Sequence, residues 1–476
     1  MNDTSTTPDR GNDARDIGRR DVLRLGAGLA VTPLLAAMHA GHAAAPDDSS
    51  AGAKPAALRS GADYIVVGAG VAGAVVAARL SEDPAVSVLL IEAGKENPMD
   101  IGRSQGAFFL TWGSERNWAY STVPQQGLGG RSIGHPRGRV VGGSNVLNVG
   151  AWLRGRPENY DAWEAAGAAG WNGTAALKAF LAVERTHRSL LRGHDGPLAM
   201  NDLPTPTQLS ERLRDAFVEA GLGKRGDSAG PDPFVVDRYH TLFVNGVCRT
   251  VADTFLTDAV RARKNLTILT RAQVTRVLIK DKRATGGEMQ TSDGRAVPDI
   301  ELLLSYNTVP GKFAAADAAK RSGTTIGVVL LQPKSRGTVR LASRDPMAKP
   351  VIDPRYLSVR DDVNTLVAGL RVAQRVAQAN VLKPWAETIF PAANASDAEL
   401  AAFVPGDIGT VYHPVGTVRM GAADDPAAVF DEQLRVKGIA GLRVADASVM
   451  PSLIRGHTMV PTVFIGYRAA ELIARP

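Results

Sequence analysis

Apolar runs of four to six residues alternate along this chain with glycine-rich and small-residue stretches, most clearly between Asp63 and Gly94. Tyr64 to Val67 is apolar at every position, the pattern of a strand buried in a parallel sheet. It runs into Gly68-Ala-Gly70-Val-Ala-Gly73, and Val71 to Leu80 is then Ala- and Val-rich with Arg79 near its end, which predicts a helix laid on that sheet. Val86 to Ile91 predicts a second strand, ending at Glu92. Near the other end, Gly441 to Met450 predicts a buried strand running into Asp446. Pro461 to Ile473 predicts a helix with proline at its start and Val463, Tyr467 and Ala470 on one face.

A lone G-x-G-x-x-G is a common glycine-rich turn. Strand, glycines, helix, second strand and acid in register point further, to dinucleotide binding. Gly68 permits the tight turn, Gly70 lets backbone approach a pyrophosphate, and Gly73 lets helix and strand pack closely. The first N–H groups of the helix, with its dipole, face the phosphates. Glu92 can accept hydrogen bonds from ribose hydroxyls.

With 476 residues the chain holds two domains or one large interwoven pair, and 44% hydrophobic content excludes global disorder. The formal charge of +7, with a pI near 9.5, raises the question of an anionic partner. The basic residues fall in short scattered groups, such as Arg185 to Arg192 and Lys280 to Arg283, without interleaved aromatics. They read as solvated surface, not as a nucleic-acid footprint. Cys248 is the sole cysteine, so no intramolecular disulfide and no cysteine-based metal site can form; the residue reads as a packed thiol. No metal site is expected, and no internal repeat is present.

Residues 1–45 have the outline of a twin-arginine export signal: Arg19-Arg20, a mildly apolar run from Leu25 to Met38, then small residues to Ala45. The competing reading is a chance arginine pair before a short core helix. The apolar run is short and interrupted by Gly and Pro for a membrane span, so membrane association is expected only through an uncleaved signal. Residues 46–58 read as a Pro/Ala/Ser linker.

A second glycine-rich passage runs from His135-Pro-Arg-Gly-Arg through Gly142-Gly143-Ser144 to Asn148. A glycine pair followed by small polar residues lets backbone lie close to a flat ring or a phosphate. Gly138-Arg-Val-Val-Gly-Gly-Ser144, then Asn148, Arg154-Gly and Tyr160-Asp-Ala-Trp163, resembles the first signature of the glucose–methanol–choline (GMC) flavoprotein oxidoreductases. The resemblance continues, in order, through Gly193 to Leu198, Arg249 to Leu256, Asn265 to Val274, Pro333 to Gly337 and Pro350 to Ser358. It implies an α/β fold: an FAD-binding, Rossmann-like G-x-G-x-x-G domain interwoven with an α+β antiparallel-sheet substrate domain. By the same resemblance FAD is the cofactor, with Gly68, Gly70, Gly73, Glu92, Gly142, Gly143, Asn148, Val274, Asp446 and Ala447 along it, and Val274 at the adenine end. Some relatives attach the flavin through a histidine one position before the Asn; Leu147 stands there, which excludes that link and implies non-covalent FAD.

Near the C-terminus, Val411-Tyr-His413-Pro-Val-Gly-Thr417 is similar to the segment that carries the family's catalytic histidine. Arg455-Gly-His457-Thr is similar to the segment that carries its Asn or His partner. Alcohol oxidation by a flavin needs a group that takes the hydroxyl proton while hydride leaves the same carbon for flavin N5. Imidazole suits this because its pKa lies near working pH. A second histidine can hold and orient the alcohol oxygen. Outside these segments, two histidines would read as ordinary satisfied side chains.

One departure bears on function. In relatives the turn corresponding to Asp293-Gly-Arg leads to a strand ending Ser-Ala-Gly-Ala, a helix and part of the substrate sheet. Here Val297-Pro298 passes directly to Asp299-Ile-Glu-Leu-Leu-Leu304, which matches sequence well past that block. The resemblance therefore implies an internal deletion near residues 296–298, removing one strand and one helix of the flavin domain and part of the substrate domain. A parallel sheet that loses a strand exposes an apolar edge. Either the chain is a reduced or disabled member, or it is a deletion form.

The expectation is an exported FAD-dependent oxidoreductase acting on a primary or secondary alcohol, with His413 as base and His457 as its partner. Electrons would pass to a quinone, a cytochrome or oxygen. The FAD domain would comprise residues 59–160, 236–297 and 405–476, and the substrate domain 161–235 and 298–404. The rival is a flavin-poor, non-catalytic relic of the same fold. A hydrolase using Ser144 is the weaker alternative, since no G-x-S-x-G elbow surrounds it.

Overall fold

The expected strand, helix and second strand form as β1 (Tyr64–Val67), α1 (Val71–Leu80) and β2 (Val88–Ile91). β2 starts two residues later than the apolar run. The Val86 N–H closes a turn on the Asp83 carbonyl at 3.2 Å, and the Ser87 N–H is held by the Asp63 carboxylate at 2.8 Å. In this computed structural model, residues 61–474 are described apart from 99, 105–106, 188, 203–206, 233, 239, 291–304, 308–321, 385–388 and 390. The export signal over 1–45, the linker over 46–58 and the junction at 296–298 lie outside the described residues.

The βαβ unit joins a three-stranded parallel sheet in the order β1, β2, β3 (Leu266–Leu269), with β2 central. α1 lies on it with Ala74, Val75 and Ala77 fully covered. Gly73 is where helix and turn meet: a Cβ there would run into the Gly68 carbonyl oxygen. The chain leaves β3 for a long hairpin, β4 (Gln273–Lys280) and β5 (Arg283–Gln290).

Two strand expectations need correction. β1 is not buried on both faces: Val66 faces the helix at Gly73, while Ile65 and Val67, on the opposite face, are 42% and 59% exposed, and among the described residues β1 pairs only with β2. Gly441 to Asp446 forms no strand. The Val444 N–H bonds the Leu434 carbonyl at 3.3 Å, and Arg443 makes a single bridge to Arg435. An apolar run alone does not make a strand; it needs a ladder partner to satisfy its backbone.

The largest core joins α1 to α6 (Met459–Ala474), and it also takes in α2 (Pro157–Ala165) and α3 (Gly173–Val183). Phe464 of α6 sits among Tyr160, Trp171 and Phe180 with ring centroids 5.7, 5.3 and 6.1 Å away. α6 begins two residues before the expected Pro461. The Thr462 N–H closes the first turn on the Thr458 carbonyl at 3.1 Å, so Pro461 falls where no N–H is needed. Beneath α3, the fully buried Glu184 carboxylate accepts from Trp152 Nε1 and Arg154 Nε, both at 2.7 Å. A buried charge persists only with partners of this kind.

Two smaller cores accompany α4 (Arg360–Ala377) and α5 (Asp397–Asp407): Val363, Leu366, Val367, Leu400 and Val404 in one, Leu213, Ala216, Val376 and Leu382 in the other. The antiparallel pairings here are short, such as Thr338–Arg340 with Val351–Asp353. Among the described residues, no helix is long and apolar enough to cross a membrane.

Candidate functional site

The turn between β1 and α1 is held by its own acid. Glu92, at the end of β2, accepts the Ala69 N–H on one carboxylate oxygen and the Gly94 N–H on the other, both at 2.8 Å. Burial raises the pKa of this carboxyl, and those two N–H bonds and the field of Arg139 oppose the rise. Gly68 turns the chain at φ +95°, and Gly70 begins α1 with no side chain capping its first N–H groups.

The second glycine passage lies across this turn. The Gly142 N–H donates to the Ala69 carbonyl at 2.8 Å, and Gly143, at φ +56°, faces Gly70 so closely that a Cβ on it would stand 2.8 Å from the Gly70 Cα. The chain before Val274 arrives on the far side, where the Arg271 and Ala272 N–H groups bond the carbonyls of Gly94 and Glu92 at 2.7 and 2.9 Å. Val274 itself, half-buried in β4, pairs with Met289 of β5. Gly68, Gly70, Gly73, Glu92, Gly142, Gly143 and the root of the Val274 hairpin thus form one group.

A second group carries the histidines. The rings of His413 and His457 lie 5.1 Å apart and tilted by 31°. His413 Nδ1 is 2.9 Å from Thr458 Oγ1, one residue before α6. Asn148 points at the first residue of that helix, its Nδ2 3.6 Å from Met459 Sδ, while its Oδ1 accepts the Gly150 N–H at 2.9 Å. Ala447 joins this group through backbone: its carbonyl accepts the Gly416 N–H at 3.2 Å, and that of Ser448 accepts the Val418 N–H at 3.1 Å. Asp446 is exposed and caps the short turn that follows, its Oδ1 accepting the Ser448 N–H at 2.7 Å.

Arg137 connects the groups. It precedes the glycine pair in the chain, and its Nη2 donates to the Tyr412 carbonyl at 3.2 Å. Tyr412 holds φ +59°, a left-handed conformation for a bulky residue, and its own N–H is fixed by Thr410 Oγ1 at 3.1 Å. Next to it His135 Nε2 meets the Tyr356 hydroxyl at 3.0 Å, and burial, then the Arg137 charge, pushes the His135 pKa down to about 4. Sequence reasoning assigned no role to Arg137, Tyr412 or Thr458. Their positions beside His413, beside His457 and inside the glycine passage were the only available signal.

The residues present suit an FAD. Gly143 packs on Gly70 so closely that a side chain on Gly143 could not fit, no side chain caps the N-terminus of α1 beside them, and a buried acid stands at the strand end. Other chemistry-bearing groups serve the fold. Burial raises the Cys248 thiol to about 12, so it stays protonated. Asp227, Asp237 and His240 bring ligand atoms within 4.8 Å of one another, yet Asp227 is ion-paired with Arg192 at 2.8 Å and Asp237 accepts the Ser228 N–H at 2.7 Å.

The chain is similar to known proteins over most of its length. Family models of GMC oxidoreductases match residues 62–304 and 333–466. The chain is 33% identical to an alcohol dehydrogenase [acceptor] of Pseudomonas putida, over 87% of this chain and 96% of the relative. It is 30% identical to choline oxidase of Arthrobacter globiformis, over 86% and 94%. Its fold is similar to that of pyridoxine 4-oxidase from Mesorbium loti, with a TM-score of 0.75 at 27% identity, over 87% of this chain and 100% of that one. The first alignment runs over 533 positions although this chain has 476 residues, so the relative carries residues with no counterpart here.

Proposed function

The chain belongs to the GMC oxidoreductase family, and from that premise we propose that it oxidises a primary or secondary alcohol with non-covalent FAD. The observation that carries the reading is the His413–His457 pair, two imidazoles 5.1 Å apart beside the start of α6 and tied through Arg137 to the loop that packs on Gly70. Relatives named for alcohols, choline and pyridoxine supply the substrate class, a CH–OH donor.

FAD, when bound, supplies the hydride acceptor. Gly68, Gly70, Gly73 and the α1 N-terminus would hold its pyrophosphate, Glu92 its ribose and Val274 its adenine end. Gly142, Gly143, Asn148, Asp446 and Ala447 would lie along the remainder, and Leu147 leaves no histidine for a covalent link at that position. His413 takes the alcohol proton at its ring, and His457 holds the alcohol oxygen so that the C–H bond is aimed correctly. The domain boundaries given above, export by the twin-arginine route, and a quinone, cytochrome or oxygen as final acceptor belong to the same proposal.

The test is anaerobic mixing of the FAD-loaded protein with a panel of primary and secondary alcohols, read as loss of oxidised flavin absorbance. His413→Ala should slow it by about 10²–10⁴-fold, His457→Ala should slow it too, and both should keep their flavin. Equal rates for His413→Ala and the parent would remove His413 as base. The uncovered face of β1, with Val67 59% exposed, and its unpaired edge among the described residues favour the second reading, a folded relic that binds flavin poorly. A parent that folds cooperatively but retains no flavin would select it.

A further inference from the structure

We infer that Thr458 is a positioning residue for His413, selecting the tautomer in which Nδ1 carries the proton and Nε2 the lone pair. The inference rests on the proposed role of His413 as base and adds a residue to that site.

The geometry comes first. His413 Nδ1 and Thr458 Oγ1 are 2.9 Å apart, a hydrogen bond between two half-buried side chains far apart in sequence. Thr458 is the N-cap of α6, since its carbonyl accepts the Thr462 N–H at 3.1 Å. An N-cap hydroxyl ordinarily accepts from the N–H of the second or third helical residue. Here the third is Pro461, which has no N–H, and the hydroxyl turns to His413 instead.

Neutral imidazole has one N–H and one lone pair, and the bond made by one nitrogen sets the state of the other. With Nδ1–H donating to Thr458 Oγ1, the lone pair stands on Nε2, where it can take a proton. If the hydroxyl donated to Nδ1 instead, Nε2 would carry hydrogen and could not act as base. Rotation of the ring is restrained as well, because Oγ1 belongs to the N-cap residue of a helix packed into the core.

The test uses protein labelled with ¹⁵N-histidine, whose ring nitrogen shifts separate the two neutral tautomers. Comparison with His413→Gln picks out the His413 signals among the eight histidines. The parent and Thr458→Ser should show Nδ1–H at His413. Thr458→Val should shift the population toward Nε2–H, slow flavin reduction by about tenfold, the effect of one lost hydrogen bond, and change kcat more than KM. Should Thr458→Val not fold, Thr458→Ala makes the same comparison. An Nε2–H tautomer in the parent, or an unchanged tautomer in the variant, overturns the assignment. The shifts are read without flavin or substrate, so a parent that reduces no flavin counts against the proposed function and not against Thr458.

Discussion

Arg137 Nη2 donates to the main-chain carbonyl of Tyr412 at 3.2 Å, so the residue before His413 is tied to the loop that lies on Gly70. Among the described residues the guanidinium has no carboxylate partner; it donates to the carbonyls of Tyr412 and, at 2.6 Å, of Pro136. Burial lowers its pKa to about 10, which still leaves it charged at neutral pH. An arginine held this way fixes geometry: it steadies Tyr412 in its left-handed conformation and, through it, the direction of His413.

Arg137→Met keeps an unbranched stem and removes the guanidinium that makes the tie. Alcohol-dependent flavin reduction should fall by about tenfold or more, since small displacements of a catalytic group are costly. Thermal stability should change little, because a charge without an acidic partner is also lost. Stopped-flow absorbance and a melting curve check both halves; an unchanged rate would remove the positioning role.

His135 gives the protein a pH dependence whose sign can be worked out. Its folded pKa is about 4 against an ordinary 6.5, so between these values the unfolded chain binds a proton that the folded one does not. The stabilisation is complete above pH 6.5 and is lost as pH falls toward about 4. The difference corresponds to roughly 3 kcal/mol. Melting temperature should therefore fall through that window, and His135→Gln should flatten the fall. A parent and variant with parallel pH profiles would show that His135 is not responsible.

The uncovered face and unpaired edge of β1 predict weak flavin retention and self-association. Ile65 and Val67 are 42% and 59% exposed on a strand whose backbone pairs on one side only among the described residues. Purified protein should carry less than one FAD per chain, by the flavin-to-protein absorbance ratio after incubation with FAD and gel filtration. Ile65→Lys should lower association in light scattering, since an edge charge opposes strand pairing. Full flavin loading of a monomeric protein would mean that the missing block is compensated.

Export supplies the remaining expectation. Replacing Arg19 and Arg20 with Lys should retain folded protein in the cytoplasm, seen by fractionation. Equal periplasmic amounts of parent and double variant would rule the arginine pair out as the signal.

What the amino-acid sequence determined by itself was local. The passage from Tyr64 to Glu92 carries its own strand, turn, helix and acid, because apolar period, glycine placement and a strand-end carboxylate act over a few residues. The histidines of both C-terminal segments were legible too, but only as members of matching motifs. Tertiary structure decided the rest. Val86 and the run from Gly441 to Asp446 are apolar enough for strands, yet Val86 closes a turn and the latter has no ladder to join. Val67 belongs to a strand that reads as buried, and its exposure depends on what covers the sheet face away from α1. Arg137 meets Tyr412, and Thr458 meets His413, across 275 and 45 residues of chain. Contacts of that span leave no periodicity in a sequence, because they are set by where two separately folded loops are delivered and not by the neighbours of either residue.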